Sequence, residues 1–197
     1  KYENACVVLR GYGRDSKGLF VVSSNGKILV DVKISGDEAM LLANSLKNAT
    51  VIVSENRVKA ILKAKELGCK IIFLDDGFSK YQISKFNILL RPKDEPTNIF
   101  CLPSGGYREP KGFYAQADIE LLEGSDFKRV ITIKKDDIEC ELPSKTVLIT
   151  AISKPKRLLE YLPKDIQMIS FPDHYDFTSE DIKDIQEKYK DHSFVTT

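Results

Sequence analysis

The sequence predicts an α/β fold: a mostly parallel sheet with flanking helices, then a smaller C-terminal α/β lobe joined to it by a two-stranded ribbon. Three observations predict it. Up to Leu122, short β-branched runs alternate with segments of helical spacing, as strands and crossover helices do in a parallel sheet. Within Lys70–Phe78, the run Ile71-Ile72-Phe73-Leu74 is apolar without alternation and ends in Asp75-Asp76-Gly77. An unbroken apolar run marks a strand covered on both faces. After Gly124 the pattern shifts to two polar-flanked strands and then to a second strand–helix alternation. The expected divisions are a core over 1–124, a linker over 125–144 and a lobe over 145–197.

Ala5 to Leu9 reads as the first strand. Leu19–Val22 and Lys27–Val32 flank Asn25-Gly26, a strong hairpin turn because both central residues of a type I′ turn need positive φ. Glu38–Leu46 has helical spacing, with Met40, Leu41, Leu42 and Leu46 as its apolar face, and Ser35 to Glu38 resembles a capping box. Thr50–Val53 is a strand. Ser54 is placed to cap a helix that runs to Leu67 and closes at Gly68. Phe86–Leu90, Ile99–Leu102 and Ala117–Leu122 read as strands. Arg129–Lys134 and Asp137–Leu142 form the expected ribbon. Thr146–Ala151 and Gln167–Phe171 are strands, Lys156–Leu162 is helical, and Thr178 caps a helix to Lys190 with Asp181 at the box position and Ile182, Ile185 and Tyr189 inward.

The 197 residues suffice for one large domain or two small ones. Apolar residues make up 42% and charged residues 30%, ordinary for a globular protein. With 30 basic and 29 acidic residues the net charge is +1, which argues against a nucleic-acid-binding surface. Cys6, Cys69, Cys101 and Cys140 contain no CxxC pair, so they read as reduced core thiols rather than a zinc site. No apolar run approaches the ~18 residues of a membrane span, and no signal peptide is visible. Both ends read as cut points within a longer protein: the chain opens on Lys1 close to a strand and stops on Thr197 just after one begins.

Five groups carry candidate chemistry. Asp75 and Asp76 end a hydrophobic strand, the layout of a Walker B element that holds Mg²⁺, although Asp-Gly also suits a turn. Asp37, in Gly36-Asp37-Glu38, is either a base presented at a helix start or a cap. Leu102 to Pro110 combines paired glycines with Arg108, a planar fork for phosphate, and Glu109, which could reach a metal. Arg10-Gly11-Tyr12-Gly13-Arg14 follows the first strand and suits an anionic ligand or a solvated loop. His174 lies between Asp173 and Asp176 before a capped helix, where a carboxylate partner would raise its basicity. His192, near a polar terminus, reads as inert. No GxxxxGK followed by Ser or Thr occurs in these residues, so a Walker B element stands without its Walker A.

Taken in order, these segments resemble the tetraacyldisaccharide 4'-kinase family, the lipid A 4'-kinases of Gram-negative bacteria. The resemblance rests on Leu9 to Arg14, Ser35 to Ala39, Arg57 with Ala60, Asp75-Asp76-Gly77-Phe78, Leu102 to Pro110, Pro172-Asp173-His174-Tyr175-Asp176-Phe177 and Thr196-Thr197. It spans nearly the whole chain. It implies a P-loop-NTPase-like core and transfer of the γ-phosphate of ATP, with Mg²⁺, to the 4'-hydroxyl of a lipid A disaccharide precursor. Asp37 would be the catalytic base, paired with His174 across a cleft between lobes. Asp75, Asp76 and Arg108 would serve the nucleotide and phosphate, and Arg10, Arg14, Tyr12 and Lys80 the substrate. Asp76, Glu109 and Glu38 are the candidate metal ligands. The implied location is peripheral, on the cytoplasmic side of the bacterial inner membrane, with contact made through an N-terminal segment absent from these residues. Residues 1–197 alone are expected to bind ATP poorly and turn over little. Two features depart from the family pattern. Ser79-Lys80 stands where the family has Gln-His, and Gly106-Tyr107 replaces a Pro-Leu type pair. The competing readings are a P-loop kinase or ligase with a soluble substrate, and a non-catalytic nucleotide-binding module.

Overall fold

The computed structural model describes residues 4–136 and 138–197. The expected strand start at Asp137 lies outside them. Two compact units divide between Lys128 and Arg129.

The first unit is built on a five-stranded sheet. Its strands are β1 (Ala5–Leu9), β2 (Phe20–Ser24), β3 (Lys27–Ile28), β4 (Ala49–Val53) and β5 (Ile71–Leu74), in the order β3-β2-β4-β1-β5. β1 runs parallel to both β4 and β5, whereas β2 is antiparallel to β4. Asn25 and Gly26 both have positive φ, 48° and 79°, as the hairpin reading requires. A Cβ at Gly26 would stand 2.2 Å from the Lys47 carbonyl oxygen. The second hairpin strand is much shorter than expected. Asp31 ends it by capping a one-turn helix, α1 (Val32–Ser35), and accepts a hydrogen bond from the Ile34 amide at 3.0 Å.

The central strands are apolar on both faces because each face carries a helix. Val7 and Leu9 of β1 join Val51 and Val53 of β4 on one side, and Cys6, Val8 and Ile52 fill the other. Helix α2 (Asp37–Ser45) lies on the first face through Ala39 and Ala43, and α3 (Arg57–Glu66) on the second through Ala60 and Ala64. Each pair is spaced i,i+4, so its two side chains stack on one stripe of the helix. Alanine lets the backbone approach the sheet closely. Of the expected apolar face of α2, Met40 and Leu42 pack against this core, whereas Leu41 is 68% exposed. The caps also shift by one or two residues. Gly36 precedes α2 without a side-chain cap, while the Ser35 hydroxyl bonds back to the Asp31 carbonyl at 3.0 Å. Asn56, not Ser54, caps α3 through the Lys59 amide at 3.0 Å.

β5 is the edge strand of this sheet among the described residues, and Phe73 is 51% exposed. It is therefore half-covered, not covered on both faces as the unbroken apolar run suggested. β6 (Ile88–Arg91) and β7 (Ile119–Leu122) form a separate parallel pair. The strand expected over Ile99–Leu102 is absent: only a single bridge joins Cys101 to Tyr107. Pro103 follows Leu102 through a cis bond, and a proline there cannot donate to a ladder.

The second unit holds β8 (Lys134–Lys135) and β9 (Ile138–Glu139), a two-residue antiparallel ribbon, so the strand expected over Arg129–Lys134 is nearly all irregular. A parallel three-stranded sheet follows, ordered β11-β10-β12, from β10 (Thr146–Thr150), β11 (Gln167–Ser170) and β12 (Ser193–Thr196). The helix expected over Lys156–Leu162 is a 3₁₀ stretch, Pro155–Tyr161. Helix α4 (Ser179–Lys188) carries the expected capping box, with Thr178 and Asp181 bonding reciprocally. Of its inward residues only Ile185 is buried; Ile182 is 47% exposed. No helix among the described residues is long and apolar enough to cross a membrane.

Candidate active site

Parallel strands place their carboxyl ends together, and in open α/β sheets the crevice beyond those ends is where ligands bind. In the first unit these ends are Leu9-Arg10, Val53-Ser54 and Leu74-Asp75. The strands are tied there by main chain: the Ser54 amide donates to the Leu9 carbonyl at 3.0 Å, and the Asp75 amide to the Val8 carbonyl at 3.0 Å.

Arg57 completes the tie. Its guanidinium donates from Nη1 to the Ser54 carbonyl at 2.8 Å and from Nη2 to the Asp75 carbonyl at 3.0 Å. The residue is only 4% exposed. Burial pulls the guanidinium below its usual range; Asp75 and Asp76 pull it back up, and Arg10 opposes them. Arg57 thus sits in the field of all three. Sequence reading noted it only as part of a motif. The available signal was an arginine in the first turn of a helix that follows a buried strand.

Asp76 adopts φ 48°, in the left-handed region that Asp tolerates better than most residues. Its Oδ2 meets Arg108 Nη1 at 2.9 Å, with both side chains largely exposed. An exposed pair of this kind contributes little to stability. Glu109 accepts a hydrogen bond from the Tyr81 hydroxyl at 3.0 Å. Lys80 lines a shallow cavity of about 370 Å³ with Glu55, Asn56, Arg57, Val58 and Gln82. The structure therefore brings Asp75, Asp76, Arg108, Arg10 and Lys80 to the neighbourhood of Arg57 or of one another.

The loop after β1 fixes the start of α2. A Cβ at Gly36 would stand 2.8 Å from the Tyr12 carbonyl oxygen, and Gly36 has φ 81°. The Asp15 amide donates to the Lys33 carbonyl at 2.9 Å, and the Ser16 hydroxyl to the Ile34 carbonyl at 2.7 Å. Asp37 and Glu38 occupy the first turn of α2, where the helix dipole favours negative charge. Tyr12 is 66% exposed. Arg14 has a different setting from Arg10. Its side chain is 2% exposed and donates to Glu55 and to the Gly18 carbonyl, both at 2.6 Å, and to the Ser16 hydroxyl at 3.2 Å. Glu55 also accepts from the Gly18 amide at 3.0 Å. Hydrogen bonds from its own backbone first, then from Arg14 and Gly18, hold the Glu55 carboxyl below the usual carboxylate range. Arg14 braces this loop.

In the second unit His174 follows β11 with φ 57°, and its amide donates to the Ala151 carbonyl at 3.0 Å, just past the end of β10. Phe171, Tyr175 and Phe177 pack around this turn with ring centroids 4.8–5.7 Å apart. The Thr150 and Thr197 hydroxyls meet at 3.0 Å. His174 therefore also stands at the carboxyl end of a parallel sheet. Among the described residues no group of three or more His, Cys, Asp or Glu is arranged to hold a metal by itself.

The fold and these strand ends define a class: an α/β protein of the P-loop-NTPase-like type, with charged groups at the carboxyl ends of its parallel strands. The family model described as LpxK, tetraacyldisaccharide-1-P 4'-kinase, matches residues 2–197. The chain belongs to that family. A tetraacyldisaccharide 4'-kinase of Aliarcobacter butzleri is 76% identical over 197 residues, covering 100% of this chain and 63% of that protein. One from Helicobacter pylori is 49% identical over 182 residues, 91% of this chain and 56% of the relative. A crystal structure of LpxK from Aquifex aeolicus in complex with ATP superposes with a TM-score of 0.69 at 28% identity, covering 99% of this chain and 68% of that one. The chain thus spans less than two thirds of the curated relatives it matches.

Proposed function

We propose that the full-length protein transfers the γ-phosphate of ATP to the 4'-hydroxyl of a tetraacyldisaccharide 1-phosphate, a step of lipid A biosynthesis. The observation that carries this is the joint occurrence of family membership and a charged crevice at the carboxyl ends of β1, β4 and β5, held by Arg57. Phosphoryl transfer asks mainly for positioning and charge neutralisation, with one group to accept the hydroxyl proton.

In this reading Asp37, with His174 as its partner, accepts the proton of the 4'-hydroxyl. Asp37 is presented by α2 at a point fixed by Gly36 against the Tyr12 carbonyl. Arg108 neutralises charge on the phosphates. Arg10, Tyr12 and Lys80 face the substrate. Asp75 and Asp76 fit a Mg²⁺ site in kind. That ion is commonly held by one or two carboxylates and the substrate phosphates, so no third protein ligand is needed. Bound there, it would neutralise developing phosphate charge; Glu38 and Glu109 are further candidates for its shell. The protein works peripherally, on the cytoplasmic side of the inner membrane.

The test is radiolabelled phosphate transfer from ATP to the disaccharide lipid by the full-length protein. Asp37→Ala and His174→Ala should each lower turnover by roughly 10²–10⁴-fold while ATP affinity stays close to that of the unaltered protein. Undiminished turnover in both variants would refute the pair.

A further inference from the structure

Arg108 and Glu109 belong to a five-residue strip, 107–111, whose two ends are fastened to one side chain. Glu95 Oε2 accepts from the Tyr107 hydroxyl at 3.2 Å and from Lys111 Nζ. The other oxygen, Oε1, accepts from Arg91 Nη2. Arg91 lies on β6, and its Nη1 donates to Glu120 of β7 at 3.0 Å. Its guanidinium also stacks on Tyr114 at 5.7 Å. Glu95 therefore joins both ends of the strip to the β6–β7 pair.

The strip needs such a fastening. Gly105 and Gly106 precede it, and the Arg108–Asp76 pair is exposed on both sides. An exposed pair is too weak to orient a long side chain against its own rotamer entropy. Tyr107, by contrast, is 4% exposed, with Lys111 Nζ 5.3 Å from its ring centroid. The two ends of the strip are thus held by Tyr107, Lys111 and the carboxylate between them, beside the Tyr81 hydrogen bond to Glu109 and the main-chain bond from the Leu102 amide to the Tyr107 carbonyl at 2.8 Å. Lys111 first, then Arg91, hold that carboxyl down at about 2, so it is ionised at any pH of assay.

We propose that Glu95 is a positioning residue of the phosphate-transfer site, which sets where Arg108 and Glu109 stand without touching the reactants. This rests on the kinase reading above, in which Arg108 meets the phosphates.

The experiment compares Glu95→Gln, Lys111→Met, Arg108→Ala and the Glu95→Gln/Arg108→Ala double variant in the full-length kinase, with kcat, KM for ATP and melting temperature read for each. Misplacing a charged group by about 1 Å costs up to ~10²-fold in rate. Glu95→Gln is therefore expected to lower kcat about ten-fold or more, and Lys111→Met in the same direction but less. The double variant should fall below Arg108→Ala by no more than about two-fold, because groups acting through one another are not additive. Unchanged kcat in both Glu95→Gln and Lys111→Met overturns the proposal. Losses that add to that of Arg108→Ala also overturn it, since Glu95 would then act only on the fold. Unchanged turnover in Arg108→Ala itself brings down the role of Arg108 along with the proposal, which separates the two failures.

Discussion

Replacing Arg57 by alanine removes a buried fork from between two strand ends. The guanidinium holds the Ser54 carbonyl at 2.8 Å and the Asp75 carbonyl at 3.0 Å, in a residue 4% exposed. Each carbonyl left unpartnered costs about 1–3 kcal/mol, so the expected loss for the two is about 2–6 kcal/mol, before any collapse of the cavity. Against a typical stability of 5–15 kcal/mol, that is enough to lower a urea midpoint visibly. Arg57→Lys keeps the charge but cannot reach both carbonyls, so it should fall between. The assay is urea denaturation followed by circular dichroism, with hydrogen exchange at the Asp75 and Ser54 amides. These pair with the Val8 and Leu9 carbonyls and should lose protection first. An Arg57→Ala variant within about 0.5 kcal/mol of the unaltered protein, the range of an ordinary surface change, would refute the reasoning.

Gly36→Ala places a Cβ 2.8 Å from the Tyr12 carbonyl at φ 81°; a loss of about 1–3 kcal/mol should appear as a lower melting temperature. Thr178→Ala removes the cap of α4 and should cost about 1 kcal/mol, read from the same melt. Asp181 is held below its ordinary value of 3.8 by the Thr178 hydroxyl and amide. Its contribution is present above that value and is lost as pH falls through the depressed one. Exchange in the first turn of α4 should therefore speed up below about pH 4, and the step should be smaller in Thr178→Ala, which keeps the backbone amide of residue 178 and the Tyr175 hydroxyl on the carboxylate. Burial pushes the Cys6 thiol up to about 12, so at pH 8 a thiol reagent should modify exposed Cys140 quickly and Cys6 only on unfolding.

Much of the sheet could be read from the residues because its determinants are local. The strand cores at β1, β4 and β10 follow from β-branched runs, and the hairpin from Asn25-Gly26. What could not be read depended on tertiary partners. The apolar run Ile71–Leu74 looks the same at a sheet edge as in its middle. Leu41 and Leu46 outweigh Ala39 and Ala43 in any hydrophobicity pattern, yet close helix–sheet approach selects the alanines. Ser54 and Asn56 are equally good caps on paper, but the Ser54 hydroxyl accepts from the Asn56 amide at 3.1 Å, and Asn56 is the residue that caps the helix. At the candidate site, the placement of Asp75, Asp76 and Asp37 at element ends was visible in the sequence. Glu95, Tyr81 and Glu55 were not, because each matters through a partner 28 to 41 positions away or through a strip of loop.

Arg57 grips the carbonyl of Asp75, not its carboxylate. The bond is made to an atom that every amino acid has. Scaffold and chemistry are thereby separated at one residue: the end of β5 is fixed whatever side chain stands there. Carboxylates at 75 and 76 can be exchanged one at a time while the strand end stays in place. The same freedom leaves room to retune this crevice through side chains alone.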